Sequence, residues 1–190
     1  HESLADGLNL FRKIFGYSSK SFIPPCYAWN SEIEKTLSDN GVRYIQGLVT
    51  QSVPTGIFDQ YGQKYHFLGS RNQYGQYFLM RNCFFEPALS RMDDPVGECL
   101  RRINIAFKWN KPATICTHRI NFMGDLDPGN RRKNLALFKE LLQHILKLWP
   151  DANFMTSDEV GDIISGNFDS DRDKKNLKSD SSDESLGYSI

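Results

Sequence analysis

Four short stretches of the 190-residue chain carry side chains that could do chemistry, and each follows an apolar run that reads as a strand: residues 24–29, 47–51, 81–86 and 117–124. In parallel α/β architectures, sites gather where strands run out at their carboxyl ends. The last stretch is the most informative. The apolar run Thr114-Ile115-Cys116 delivers Thr117-His118-Arg119 directly at its end, with Asn121 just beyond. A histidine there is held rigidly yet reaches a ligand, as a general acid or base must. Arg119 beside it could hold a carboxylate or an oxyanion. The competing structural reading is an imidazole bonded to a loop carbonyl. Arg81-Asn82 and Glu86 follow their own strand in the same way, and a carboxylate beside His118 would orient the imidazole. The alternative there is a plain Arg81–Glu86 ion pair. Pro24-Pro25-Cys26-Tyr27-Ala28-Trp29 makes a rigid bend, with Tyr27 and Trp29 able either to stack on sugar rings at a site edge or to fill the core.

Other titratable residues read as structural. Asp94, of the pair Asp93-Asp94, is accounted for as a helix cap. His66 lies in the aromatic patch Lys64-Tyr65-His66-Phe67, and His144 sits on a helix beside Leu141 and Ile145. Cys26, Cys83, Cys99 and Cys116 share no C-x-x-C spacing and read as free thiols in apolar surroundings. H-x-x-x-H, H-E-x-x-H, G-x-S-x-G, the P-loop and G-x-G-x-x-G are all absent, so the sequence supplies no metal-ligand motif.

The elements that must position these residues alternate. Leu4, Leu8, Phe11, Ile14 and Phe15 recur at helical spacing until Gly16. Residues 21–23 form a short strand. Asn30 or Ser31 caps a second helix, with Glu34 completing a capping box from Ser31, and Asn40-Gly41 ends it. Residues 42–48 read as a buried strand, 51–75 as an irregular insertion or hairpin, and 76–85 as the next strand. Asp94 with Pro95 opens a helix carrying Val96, Leu100, Ile103 and Phe107 on one face. A strand over 112–117 precedes the longest helix, 130–149, with a stripe of Leu135, Phe138, Leu141, Leu142, Ile145 and Leu148. Residues 153–155 read as a last strand, and Thr156-Ser157-Asp158-Glu159 as the capping box of a terminal helix. About five such strand–helix units imply a mostly parallel sheet with crossover helices, either an open doubly wound sheet or part of a closed barrel.

Composition sets the outer bounds. With 23 basic and 23 acidic residues the chain has no net charge, so a chain-wide field suited to nucleic acid is not expected. Its apolar runs are too short for a membrane span. Residues 1–165 form the expected domain. Residues 166–190, rich in Asp, Ser and Lys, form a polar tail expected to be disordered. A cytoplasmic location is favoured by the lack of a leader or disulfide pattern in this stretch. The opening His1-Glu2-Ser3, without Met, suggests that something lies upstream.

The order GYSSKSFIPPCYAW, NSEIEKTLSDNGVRYIQG, KPATICTHRIN and LFKELLQHILKLWPDANFMTSDEV resembles the carboxyl portion of polysaccharide deacetylase-like (NodB-type) domains, over about residues 3 to 165. The resemblance implies a partial (β/α) barrel of the polysaccharide deacetylase type, in the glycoside hydrolase/deacetylase superfamily. Ser21-Phe22-Ile23-Pro24-Pro25-Cys26 falls on the family's Arg-x-Pro-Tyr-type motif, with Ile23 where an arginine is expected and Cys26 where an aromatic is usual. His118 falls on a histidine that serves as catalytic acid and helps form the acetate pocket. The family's catalytic base and its metal-binding Asp and His pair belong to strands upstream of anything in this chain.

What the resemblance implies is a metal-dependent removal of acetyl groups from a glycan, with zinc or a similar divalent ion held in the longer protein. His118 would protonate the leaving group, with Glu86 as its catalytic partner. The expected substrate contacts are Pro25, Tyr27, Trp29, Arg81, Asn82, Arg119 and Asn121. A shortened barrel would expose a strand edge through which copies could self-associate. Two other classes remain open: a non-catalytic carbohydrate-binding or scaffold domain that keeps the barrel, and a glycosidase, for which Glu86 has no evident second carboxylate.

Overall fold

A computed structural model of the chain describes residues 2–89 and 93–167; most of the expected tail lies outside the described residues. The fold is mixed α/β with parallel strands. Helix α1 (Glu2–Phe15) leads to β1 (Ser21–Phe22), α2 (Glu32–Asp39) and β2 (Tyr44–Gly47). After an antiparallel hairpin, β3 (Thr50–Pro54) and β4 (Tyr61–Tyr65), the chain returns as β5 (Tyr77–Met80) and β6 (Cys83–Phe84). Then come α3 (Pro95–Lys108), β7 (Ile115–Cys116), α4 (Pro128–Leu148) and α5 (Ser157–Ser165). Strands β1, β2 and β5 pair in parallel in that order, and β6 pairs in parallel with β7. The expected strand over 76–85 is therefore one run that changes partner: Arg81 N–H bonds Gly47 O, whereas Cys83 N–H bonds Thr114 O. No helix among the described residues is long and apolar enough to cross a membrane.

Each sheet segment carries its own apolar layer. On β1-β2-β5, Trp29, Leu37, Val42, Ile45, Phe78 and Met80 form a core against which Leu4 and Leu8 of α1 pack. On β6-β7, Cys83 and Phe85 pack with Val96, Cys99 and Ile103 of α3 and with Leu141 and Ile145 of α4. In α4 the inward stripe is Asn134, Phe138, Leu141 and Ile145. Leu135, expected in that stripe, stands about 100° round the helix from Asn134 and is exposed, as is Leu148 in the last turn.

The caps of α3 and α5 agree with the sequence: Asp94 accepts from Gly97 N–H, and Thr156 and Glu159 close a reciprocal capping box. At α2 the expected box does not form. Asn30 Oδ1 accepts from Glu32 N–H instead, and Ser31 makes no side-chain cap. Glu34 turns inward, where its carboxylate accepts from Trp29 Nε1 (3.0 Å) and Asn72 Nδ2 (2.9 Å). A buried indole N–H outcompetes the cap because it has no water to turn to. Residues 153–155, expected as a strand, pair with no strand among the described residues, and Phe154 and Met155 are exposed.

Helix α5 docks by close approach. A Cβ on Gly161 would stand 2.6 Å from the fully buried Tyr44 ring, so only glycine lets the helix seat. The Tyr44 hydroxyl bonds Asp162, which also pairs with Lys20 Nζ at 2.8 Å and lies 3.7 Å from Arg43 Nη1. Burial pushes the Asp162 carboxyl up, but the Lys20 and Tyr44 hydrogen bonds and the two cations outweigh it and hold it below its ordinary value. Gly161→Ala gains helix propensity of under about 1 kcal/mol, whereas the forced shift of a fixed ring costs about 1–3 kcal/mol. Thermal denaturation should therefore show a net loss of stability.

The hairpin is anchored through a buried imidazole. His66 stacks on Phe78, centroids 3.7 Å apart, and its Nε2 meets Gln51 Oε1 at 2.6 Å, while Gln51 Nε2 bonds Trp29 O at 2.7 Å. Burial first, then the Lys64 charge, lowers the His66 pKa below 6.5, with Glu34 opposing. The neutral imidazole is thus favoured by folding. Its contribution is complete above the unfolded value and is lost as pH falls below it. Melting temperature should drop between about pH 7 and about pH 5, and His66→Gln should flatten that dependence.

Candidate functional site

Register brings the chemistry together. Phe84 lies opposite Cys116 across β6 and β7, and Phe85 N–H bonds Cys116 O at 2.8 Å. Two residues further along each strand come Glu86 and His118, so the same pairing carries the carboxylate to the imidazole. Glu86 Oε1 stands 2.7 Å from His118 Nδ1, and Oε2 lies 3.4 Å from the His118 backbone N–H. The Glu86 side chain is 14% exposed and that of His118 is 61% exposed. A carboxylate only accepts, so Nδ1 carries the hydrogen. Nε2 has no partner among the described residues and is left free to take or give a proton.

Asn121 locks this pair from behind. It is fully buried on the 3₁₀ turn Arg119–Phe122. Its Nδ2 lies 2.8 Å from Glu86 Oε2 and 2.9 Å from both Thr117 Oγ1 and His118 O. Its Oδ1 accepts from Ala88 N–H. Asn134 of α4 in turn donates from Nδ2 to the Asn121 carbonyl at 2.9 Å and to Asn130 Oδ1 at 2.8 Å. The amide therefore fixes the carboxylate and closes the loop that follows β6.

A second group faces the same strand ends. Arg81 Nη1 donates to the Tyr27 hydroxyl at 2.9 Å, and that hydroxyl lies 3.9 Å from Cys116 Sγ. Tyr27 is delivered by a strained turn: Cys26 and Tyr27 both adopt left-handed backbone, φ 51° and 55°. Such conformations cost about 1–3 kcal/mol each and persist where the surroundings over-determine them. The turn is held by Tyr27 N–H to Pro24 O and Ala28 N–H to Pro25 O. Burial raises the Cys116 thiol pKa, with Arg81 and Tyr27 pulling it down and Glu86 adding to the rise, so this thiol feels both halves of the site. It belongs to the core rather than to a nucleophile.

Of the residues singled out in the sequence, Glu86 meets His118 and Arg81 meets Tyr27, and both pairs act on Cys116 at the strand ends. The expected alternative of an Arg81–Glu86 ion pair does not form; each takes another partner. Pro25 is exposed at the rim, and Arg119 is exposed with no hydrogen bond or ion pair among the described residues. Three assignments change. Trp29 is 4% exposed, stacked with His66 and tilted against Phe78, so it cannot line an open sugar site. Asn82 stitches strands, donating to Pro112 O and accepting from Thr114 N–H. Asn121 is too deep to touch a ligand and acts through Glu86. Thr117 and the Asn130–Asn134 ladder had no signal beyond polar residues near a strand end and a helix start.

No trio of His, Cys, Asp or Glu side chains among the described residues is placed to hold a metal ion. Glu86 and His118 are committed to each other, and no second carboxylate among the described residues bonds at this site.

Asn121→Leu strips Glu86 of a donor and leaves Ala88 N–H without its acceptor, so it should cost about 1–3 kcal/mol in chemical denaturation. Nitrogen-15 NMR of the imidazole should also show the Nδ1–H tautomer of His118 losing its dominance, which a purely structural loss elsewhere would not produce. Set against models of protein families, curated proteins and solved structures, the chain matches none.

Proposed function

We propose that this chain carries the acid–base part of a carbohydrate-active hydrolase resembling polysaccharide deacetylases, built as a partial (β/α) barrel. The observation that supports it is the Glu86–His118 pair at the carboxyl ends of two adjacent parallel strands, with Nε2 facing outward. In this reading His118 Nε2 delivers a proton to the nitrogen or oxygen leaving an acetyl group on a glycan. Glu86 keeps the imidazole in the Nδ1–H form and stabilises the imidazolium. Arg81, its guanidinium oriented by Tyr27, faces negative charge developing on the substrate. In the family that the sequence resembles, a divalent metal activates the attacking water. The residues described here do not form its ligand set, so no step is assigned to it in this chain.

A second reading is a non-catalytic glycan-binding domain. It is favoured by Ile23, which stands 44% exposed beside the Pro24-Pro25 bend where the family carries an arginine. The two part on turnover: a binding domain would hold acetylated oligosaccharide without releasing acetate.

Acetate release from acetylated oligosaccharides by the longest natural form of the protein tests the leading reading. His118→Ala should lower kcat by about 10²- to 10⁴-fold with little change in KM. Glu86→Gln should cause a smaller loss. An unchanged rate in His118→Ala would overturn the assignment.

A further inference from the structure

A cavity of about 370 Å³ lies between the sheet and the segment that leads into α5. Leu79, Ile103, Phe107, Ile145 and Val160 contribute apolar walls, Asn153 and Ser157 are polar, and no charged side chain among the described residues lines it. The exposed Phe154 and Met155 also line it, on the stretch that pairs with no strand. Gln46 of β2 reaches the same cavity, because Ile45, Phe78 and Met80 take the opposite sheet face toward α1 and α2.

Gln46 is 6% exposed, and its carboxamide has no hydrogen-bond partner among the described residues. Gln51 is as buried, yet it bonds Trp29 O and His66. Gln76 is also buried, yet it bonds Val42 O and Asn72. Buried side-chain amides are nearly always satisfied, and leaving one bare is costly. An unpaired amide aimed into a largely apolar cavity, whose other polar lining residues Thr114, Asn153 and Ser157 make no hydrogen bond to it, therefore marks the place of a missing partner.

We propose that this cavity binds a small, largely apolar molecule bearing a neutral carboxamide, which pairs donor to acceptor and acceptor to donor with Gln46. The uncharged walls set the neutrality, since a bare ion there would be desolvated without compensation. The volume sets the size. A 150 Å³ cavity holds benzene, so this one accommodates a ligand of about fifteen non-hydrogen atoms or fewer. The site shares no residue with the Glu86–His118 pair and does not depend on the glycan reading.

Hexanamide serves as the probe, with hexanoate at neutral pH as its charged counterpart. Titration followed by proton–nitrogen NMR should move the Gln46 side-chain amide signals saturably with hexanamide and not with hexanoate. Gln46→Leu should raise the melting temperature of the free protein and weaken hexanamide about tenfold. Val160→Phe, which fills the cavity but keeps Gln46, should abolish binding. No saturable shift up to the solubility limit, or equal binding of hexanoate, would overturn the proposal and leave solvent alone at Gln46. Binding by the 190-residue chain but not by the longest natural form would also overturn it, because a segment of the protein would then fill the cavity.

Discussion

The alignment of β6 with β7 is the constraint on which the rest of the site depends. Pairing Phe84 with Cys116 places every second residue of both strands on a common face, so Glu86 and His118 meet without any loop having to bring them together. A slip of one residue would send the two side chains to opposite faces. The strands named here are only two residues long, so the ladder itself is weak. Its register is held by what surrounds it: Asn82 bridges to Pro112 and Thr114 at the amino ends, and Asn121 bridges Glu86, Thr117 and Ala88 at the carboxyl ends. Polar side chains at both ends thus do what extra strand length would otherwise do.

The interior makes that arrangement selective. Cys83 and Phe85 are buried against α3 and α4, and Cys116 is buried as well, so the strands cannot shift without moving apolar groups out of a dry core. Burial pushes the Cys83 thiol up to about 12 and Cys99 to about 11, and both stay neutral packing groups. The Arg81–Tyr27 pair joins the other sheet segment to the same place through the break at residues 81–82, where one strand leaves β2 and takes up β7. The site thus sits at the seam between two apolar layers, where a ligand could meet groups from both.

The legible parts of the fold were those fixed by neighbours in sequence. Asp94 with Pro95, Thr156 with Glu159, and Gly16 and Gly41 at helix ends are local chemistry, and each appears where its spacing placed it. The structure departs from local spacing where a distant partner competes. Glu34 left its local cap for the indole of Trp29, Asn134 took the core phase expected of Leu135, and residues 153–155 found no strand to pair with. At the site, His118 and Glu86 could be picked out as residues following apolar runs. The burial of Trp29 and the interior role of Asn121 could not, because aromatic and amide side chains serve cores and ligands alike.

By itself, then, the sequence determined which residues could carry proton transfer and that they would sit at strand ends, because hydrophobic periodicity and caps are properties of adjacent residues. Only the tertiary structure decided that the Glu86 carboxylate meets His118 rather than Arg81, that Tyr27 turns toward Arg81, and that the Gln46 amide is left bare beside a largely apolar cavity. Those outcomes depend on strand register and on which buried polar groups find partners. Both are settled between residues tens of positions apart, through contacts that no local pattern encodes.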